Sequence, residues 1–286
     1  MHIILGATGH IGSELARLLL DRGEPVTVVV RNRDTAAAWR ARGARSAVAD
    51  IHDTGALREA LLEGTRLFLL NPPADPAFDS DVEERVTLRS ILTALEGSSI
   101  RGIVAASTYG AKQGTRIGDL GTLHELEQGL AAQAIPVTVL RSAYYMSNWD
   151  KALTGAREQG MVPSFFPVEF ELPMVAPRDI AEVAAELLTE PNMRTGLVHV
   201  EGPERCSAAR VAAAFARELA KPIHAVEIPP DRWLPTLEKL RFSAAAAESF
   251  AGMCRETLGG RFPDASQARR GATSIEAYIA ELVGRP

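Results

Sequence analysis

Three glycines fall within seven residues, Gly6-Ala7-Thr8-Gly9-His10-Ile11-Gly12. They stand between a short apolar run, His2 to Leu5, and a segment in which Ile11, Leu15, Leu18 and Leu19 recur at helical spacing. A strand that turns at once into a helix needs such residues. One glycine serves the tight turn, another lets the backbone approach a ligand closely, and another lets the helix pack on the strand. The helix start then presents unpaired N–H groups and the positive end of its dipole, a setting suited to phosphate. The first expectation is a diphosphate held by Gly6, Thr8, Gly9, His10, Ile11 and Gly12.

The rest of the first half repeats this strand and helix rhythm. Pro25 to Arg31, Ser46 to Asp50, Arg66 to Asn71, Gly102 to Thr108 and Pro136 to Ser142 read as strands, short and rich in Val, Ile or Leu. Asp79 to Leu95 and Leu123 to Ala132 have the length and composition of crossover helices. Strands apolar on both faces and separated by helices imply an α/β fold with a doubly wound parallel sheet. Its ligand should lie at the carboxyl ends of the strands, where strand order reverses.

After Ser142 the regularity breaks. Met161 to Pro177 is proline- and phenylalanine-rich, which suits a loop or short strands lining a cleft. Asp179 reads as a helix cap with Glu182 reaching back, and Leu197 to Val200 as a strand returning to the main sheet. Helices are expected near Ser207 to Ala220 and Ser274 to Val283. The division expected is a dinucleotide-binding domain over residues 1–145, with 173–202 returning to it, and a smaller substrate lobe over 146–286.

Bulk properties narrow the function classes. In 286 residues, 46% hydrophobic and 23% charged, the balance is that of an ordinary globular chain, and a formal charge of −5 argues against a nucleic-acid surface. Cys206 and Cys254 have no redox or metal spacing, and His2, His10, His52, His199 and His224 form no metal-like pattern. No stretch is long enough to span a bilayer, and the amino terminus lacks a basic segment followed by an apolar one, so the cytoplasm is the expected compartment. A small-molecule substrate is the expected partner, without nucleic acid, membrane or metal, and a homodimer is compatible with the chain.

Cofactor choice is read at the end of the second strand. An NAD site places Asp or Glu about twenty residues past the last glycine, whereas Arg31, Asn32 and Arg33 stand here. A carboxylate would repel a 2′-phosphate and a guanidinium would hold it, so NADP+/NADPH is favoured. Asp50 is expected to accept from the adenine amino group, with Ile51 packed on the ring; a turn-capping carboxylate is the plainer account. Asn71 and Pro72 end the fourth strand where the nicotinamide half should lie, and a rigid loop explains them equally well.

The motifs in order resemble the NmrA-like branch of the atypical short-chain dehydrogenases/reductases, over nearly the whole chain. They are the glycine turn, Val30-Arg31-Asn32, Leu140-Arg141-Ser142-Ala143-Tyr144-Tyr145-Met146-Ser147-Asn148, Arg178-Asp179-Ile180-Ala181-Glu182-Val183, Glu201-Gly202-Pro203-Glu204 and Thr273-Ser274-Ile275-Glu276-Ala277-Tyr278. The resemblance implies a Rossmann domain with a small carboxyl-terminal lobe and a cleft between them. It also implies either NADPH-dependent reduction of quinones, dyes or phenolics, or dinucleotide binding without turnover.

Ordinary short-chain dehydrogenases place Tyr-x-x-x-Lys on the helix after the fifth strand. Leu120 stands where that tyrosine would be and His124 where the lysine would be. The resemblance makes a Lys or His there common, so His124 is a candidate for cofactor binding and proton donation. Ser107 is expected at the cofactor, and Tyr109 and Tyr145 as further hydroxyl donors at strand ends. Tyr144, Tyr145, Trp149, Phe165 and Phe166 are expected to wall the substrate. The leading reading is an NADPH-dependent reductase of a quinone or phenolic carbonyl, where the acceptor spreads the incoming charge and positioning supplies much of the rate. A non-catalytic NADP(H) sensor, and a reductase, epimerase or dehydratase of a biosynthetic pathway, stay open.

Overall fold

The computed structural model describes residues 1–285. Chain order begins β1 (His2–Ile4), α1 (His10–Asp21), β2 (Val26–Val30), α2 (Arg33–Arg40), β3 (Arg45–Val48), α3 (Thr54–Leu61) and β4 (Arg66–Leu69). It continues α4 (Ser80–Leu95), β5 (Gly102–Thr108), α5 (Asp119–Ala131) and β6 (Val137–Ser142). The central strands are apolar on both faces, whereas β3, at the sheet edge, is exposed or half-buried. Ile3 and Leu5 enter one core with Leu57, Leu88, Ile91 and Leu126, while Ile4 enters the opposite core with Leu15, Leu19 and Ile180.

The later part carries β7 (Tyr144–Tyr145), a 3-10 turn (Met146–Trp149), α6 (Ala152–Gln159), β8 (Met161–Ser164), β9 (Leu172–Val175), α7 (Pro177–Thr189) and β10 (Gly196–Glu201). Then follow β11 (Arg205–Cys206), α8 (Ala208–Leu219), β12 (His224–Glu227), α9 (Trp233–Lys239), α10 (Ala244–Gly259), β13 (Ala268–Arg270) and α11 (Ile275–Gly284). A separate core gathers Trp149, Phe166, Met174, Phe215, Trp233 and Tyr278.

The main sheet has eight strands in the order β13-β10-β6-β5-β4-β1-β2-β3, and its pairings are parallel throughout. Order reverses between β1 and β4, where His2 lies opposite both Val26 and Arg66. That junction is the switch point of a doubly wound sheet. Among the described residues, no helix is long and apolar enough to cross a membrane.

One expectation is corrected by tertiary contacts. Helix α7 begins at Pro177, whose fixed φ suits a first helical position, so Asp179 is not the cap. The buried Asp179 carboxylate instead accepts from Thr273 N–H at 3.0 Å and Thr273 Oγ1 at 2.7 Å, tying the tail to α7. The sheet also gains β13, a polar edge strand that the apolar pattern did not announce.

Candidate functional site

The turn after β1 is shaped by its glycines. Gly6 has φ +73°, a left-handed conformation that L side chains resist. Gly9 N–H donates to Gly6 O at 2.9 Å, and Gly9 caps α1 without a side-chain bond. A Cβ on Gly12 would stand 2.3 Å from Gly6 O, so helix and turn are as close as backbone permits. Thr8, Gly9 and His10 are exposed, and the first turn of α1 has no acidic side chain. The unpaired N–H groups at this helix start therefore face open space with no negative charge of their own.

At the end of β2, Arg31 and Arg33 are exposed, and Asn32 Oδ1 accepts from Thr35 N–H at 2.8 Å as the cap of α2. Beyond β3, Asp50 Oδ1 accepts from His52 N–H at 2.9 Å. Asp50 is thus the turn carboxylate of the plainer account, with that oxygen satisfied locally. Ile51 is half-buried and its carbonyl accepts from Ser90 Oγ at 2.7 Å.

The opposite side of the switch point is built from the segment after β4 and from α5. Asn71 Nδ2 donates to the Glu84 carbonyl at 3.4 Å, while Asn71 Oδ1 is buried with no partner among the described residues. Pro72 is half-buried beside it. His124 is half-buried on α5, one turn before Glu127 and so on the same face, and its Nδ1 is likewise buried and unpartnered. These orphaned atoms, with a glycine cradle that a Cβ would fill, fit a bound dinucleotide.

Three expected hydroxyls do something else or stand apart. Ser107 Oγ donates to Glu127 Oε1, which also accepts from Arg141 Nε at 2.8 Å, so the serine belongs to an ionic bolt between α5, β5 and β6. Tyr109 is 7% exposed, and its ring meets His199 of β10 edge-on at 5.2 Å. It leans across β6, away from the β1–β4 junction, beside Glu201 and Arg270; burial foremost, then the Glu201 charge, pushes its hydroxyl well above the ordinary tyrosine range. The Tyr109 placement, across β6 from the crevice, does not suit the donor expected there. Tyr145 stays half-buried, with burial and the charge of Asp119 raising its hydroxyl.

The expected aromatic wall forms two groups. Tyr144 packs against Trp149 at 6.1 Å and Phe166 at 6.0 Å, while Phe165 packs against Phe250 at 5.0 Å. Trp149 and Phe166 are buried in the second core and back the wall, leaving Tyr144, Tyr145 and Phe165 half-buried.

Asp150, Glu84 and Arg141 were not singled out as site residues in the sequence. His10 Nε2 lies 3.6 Å from Asp150 Oδ2, whose other oxygen accepts from Tyr278 OH at 2.7 Å. Glu84 is buried, with Ala74 N–H at 3.3 Å and Thr122 Oγ1 at 3.0 Å donating to its two oxygens. Its position could have signalled this, because Glu84 extends the buried stripe Leu88, Ile91 and Leu95. Arg141 gave a similar signal as a charge inside an apolar strand.

Known proteins resemble this chain in sequence and fold. The chain is 28% identical over 230 residues to an NAD(P)H azoreductase of Xenophilus azovorans, covering 80% of this chain and 77% of that one. It is 29% identical over 290 residues to a (4-alkanoyl-5-oxo-2,5-dihydrofuran-3-yl)methyl phosphate reductase of Streptomyces griseus, covering 100% of this chain and 94% of that one. The fold matches an NADPH-dependent quinone oxidoreductase of Escherichia coli, solved with NADPH, at TM-score 0.80 and 21% identity over 99% of both chains. The NmrA-like family model matches residues 2–258, and the chain belongs to that family.

Proposed function

We propose that this protein is an NADPH-dependent reductase that delivers hydride to a small apolar or aromatic acceptor, a quinone or a conjugated carbonyl. The observation that carries the reading is the exposed start of α1 at Gly9, whose first turn carries no acidic side chain, at the sheet's switch point. Arg31 and Arg33, exposed at the end of β2, would take the 2′-phosphate. Residues 1–145, with 173–202 returning, would hold the cofactor, and 146–286 the acceptor. Azoreductase, quinone oxidoreductase and lactone phosphate reductase relatives support a conjugated acceptor.

Bound NADPH supplies two electrons and a proton as hydride. Asn71 and His124 would hold the nicotinamide half; Tyr144, Tyr145 and Phe165 would exclude water and orient the acceptor. His124 passes a proton to the reduced oxygen and is reprotonated from solvent. The test is NADPH consumption against a panel of quinones, with His124→Ala expected to lower kcat strongly. Tight NADPH binding with no turnover of any acceptor would favour the sensor reading, for which the buried Leu120 at the usual tyrosine position speaks.

A further inference from the structure

We propose that Glu84 is a positioning residue for the nicotinamide half of the site, its carboxyl fixing the Asn71–Ala74 segment against α5 and so setting the gap between Asn71 and His124. This assignment rests on the cofactor reading above. Glu84 lies on α4 and is 7% exposed. One carboxyl oxygen accepts from Ala74 N–H at 3.3 Å and the other from Thr122 Oγ1 at 3.0 Å, while its own carbonyl accepts from Asn71 Nδ2 at 3.4 Å. A single residue thus joins three elements. Thr122 precedes His124 by two residues on α5, so the carboxyl ties the segment after β4 to the helix that carries His124.

The charge around Glu84 makes the bridge adjustable. On its own helix stand Asp81 and Arg85, on α5 Asp119 and Glu125, in the loop before α5 Arg116, and on α10, packed against α4, Glu248. Arg85 is committed to Asp81, Glu125 and Gly114 O, and Arg116 to Asp79. The charges that act on Glu84 are acidic, Asp119 and Asp81; burial foremost, then Asp119, pushes its carboxyl up to about 7. Ionised, it accepts two charge-assisted bonds. Protonated on the oxygen facing Thr122, it becomes the donor there and the threonine hydroxyl turns to accept, so the bridge persists as a weaker neutral pair. The grip on the nicotinamide half therefore tightens as pH rises through neutrality.

The test compares wild type with Glu84→Gln, Thr122→Val and Glu84→Leu by calorimetric titration with NADPH and with adenosine 2′,5′-bisphosphate. Glutamine keeps both bonds and cannot titrate; leucine continues the apolar stripe and breaks both. Thr122→Val and Glu84→Leu are expected to weaken NADPH by about threefold to tenfold, the scale of one or two hydrogen bonds. The adenosine fragment should bind all four proteins equally. The 2′-phosphate titrates near neutrality in every protein, so the informative quantity is the difference between wild type and Glu84→Gln across pH. Wild-type affinity should rise relative to Glu84→Gln with a midpoint near 7. Equal losses for fragment and NADPH, or superimposable pH profiles for wild type and Glu84→Gln, would overturn the assignment. Wild type binding neither ligand would overturn the cofactor reading itself. Should Glu84→Leu fail to fold, Thr122→Val and Glu84→Gln decide the matter alone.

Discussion

His10, the first residue of α1, stands 3.6 Å from the carboxylate of Asp150. The glycine turn therefore touches the later part of the chain directly, and Tyr278 of α11 donates to the same carboxylate at 2.7 Å. Tyr278 is buried, so Tyr278→Phe leaves Asp150 short of a donor without changing the packed volume. A hydroxyl bonded to a charged group contributes about 1.5–3 kcal/mol. Urea denaturation should show a loss in that range, and an unchanged midpoint would mean that water replaces the tyrosine.

Two glycines of the turn should respond differently to the same methyl group. Gly12→Ala brings Cβ to 2.3 Å from Gly6 O, and backbone must move; overpacking of this kind costs about 1–3 kcal/mol. Gly9 has φ −91° and only Gly6 O at 3.5 Å from the new Cβ. Gly9→Ala should fold with little loss of stability yet weaken NADPH by about tenfold or more, because the methyl occupies the path of the diphosphate. Normal NADPH affinity in Gly9→Ala would place the diphosphate elsewhere.

Arg31→Ala tests cofactor choice. Loss of a charge-assisted pair to the 2′-phosphate should raise the NADPH dissociation constant by about tenfold to a hundredfold and leave NADH unchanged. Parallel losses for both coenzymes would show that Arg31 does not read the phosphate.

Glu84 should also appear in the stability of the fold. Its ordinary value is 4.5 and its folded value about 7, so between these the folded protein holds more protons than the unfolded chain. Stability therefore falls as pH rises through that window and levels off above it. The full difference is on the order of 3 kcal/mol. Glu84→Gln should unfold later than wild type at about pH 8 and no later at about pH 4; equal midpoints at both would show that the carboxyl is solvated.

The strands up to β6 were legible because a parallel sheet covered on both faces writes itself as largely apolar runs, as in residues 103–106 of β5. The glycine turn was legible because backbone conformation demands those residues. What escaped were choices made by partners distant in sequence. Ala268–Arg270 is a strand only because β10 offers it an edge. Asp179 looked like a cap, but Thr273 claims it. Ser107 looked free until Glu127 came one helix later to meet it, and Tyr109 points wherever His199 and Glu201 leave room. Glu84 was hidden for the opposite reason, as one acid in a helix already rich in them.

The bolt of Ser107, Glu127 and Arg141 has a bearing on how such a scaffold changes its trade. Because α5 is anchored by Glu127, the positions one and two turns earlier, His124 and Leu120, carry none of that attachment. The half-buried His124 position can therefore change while the helix keeps its seat, whereas a change at the buried Leu120 must also fit the core.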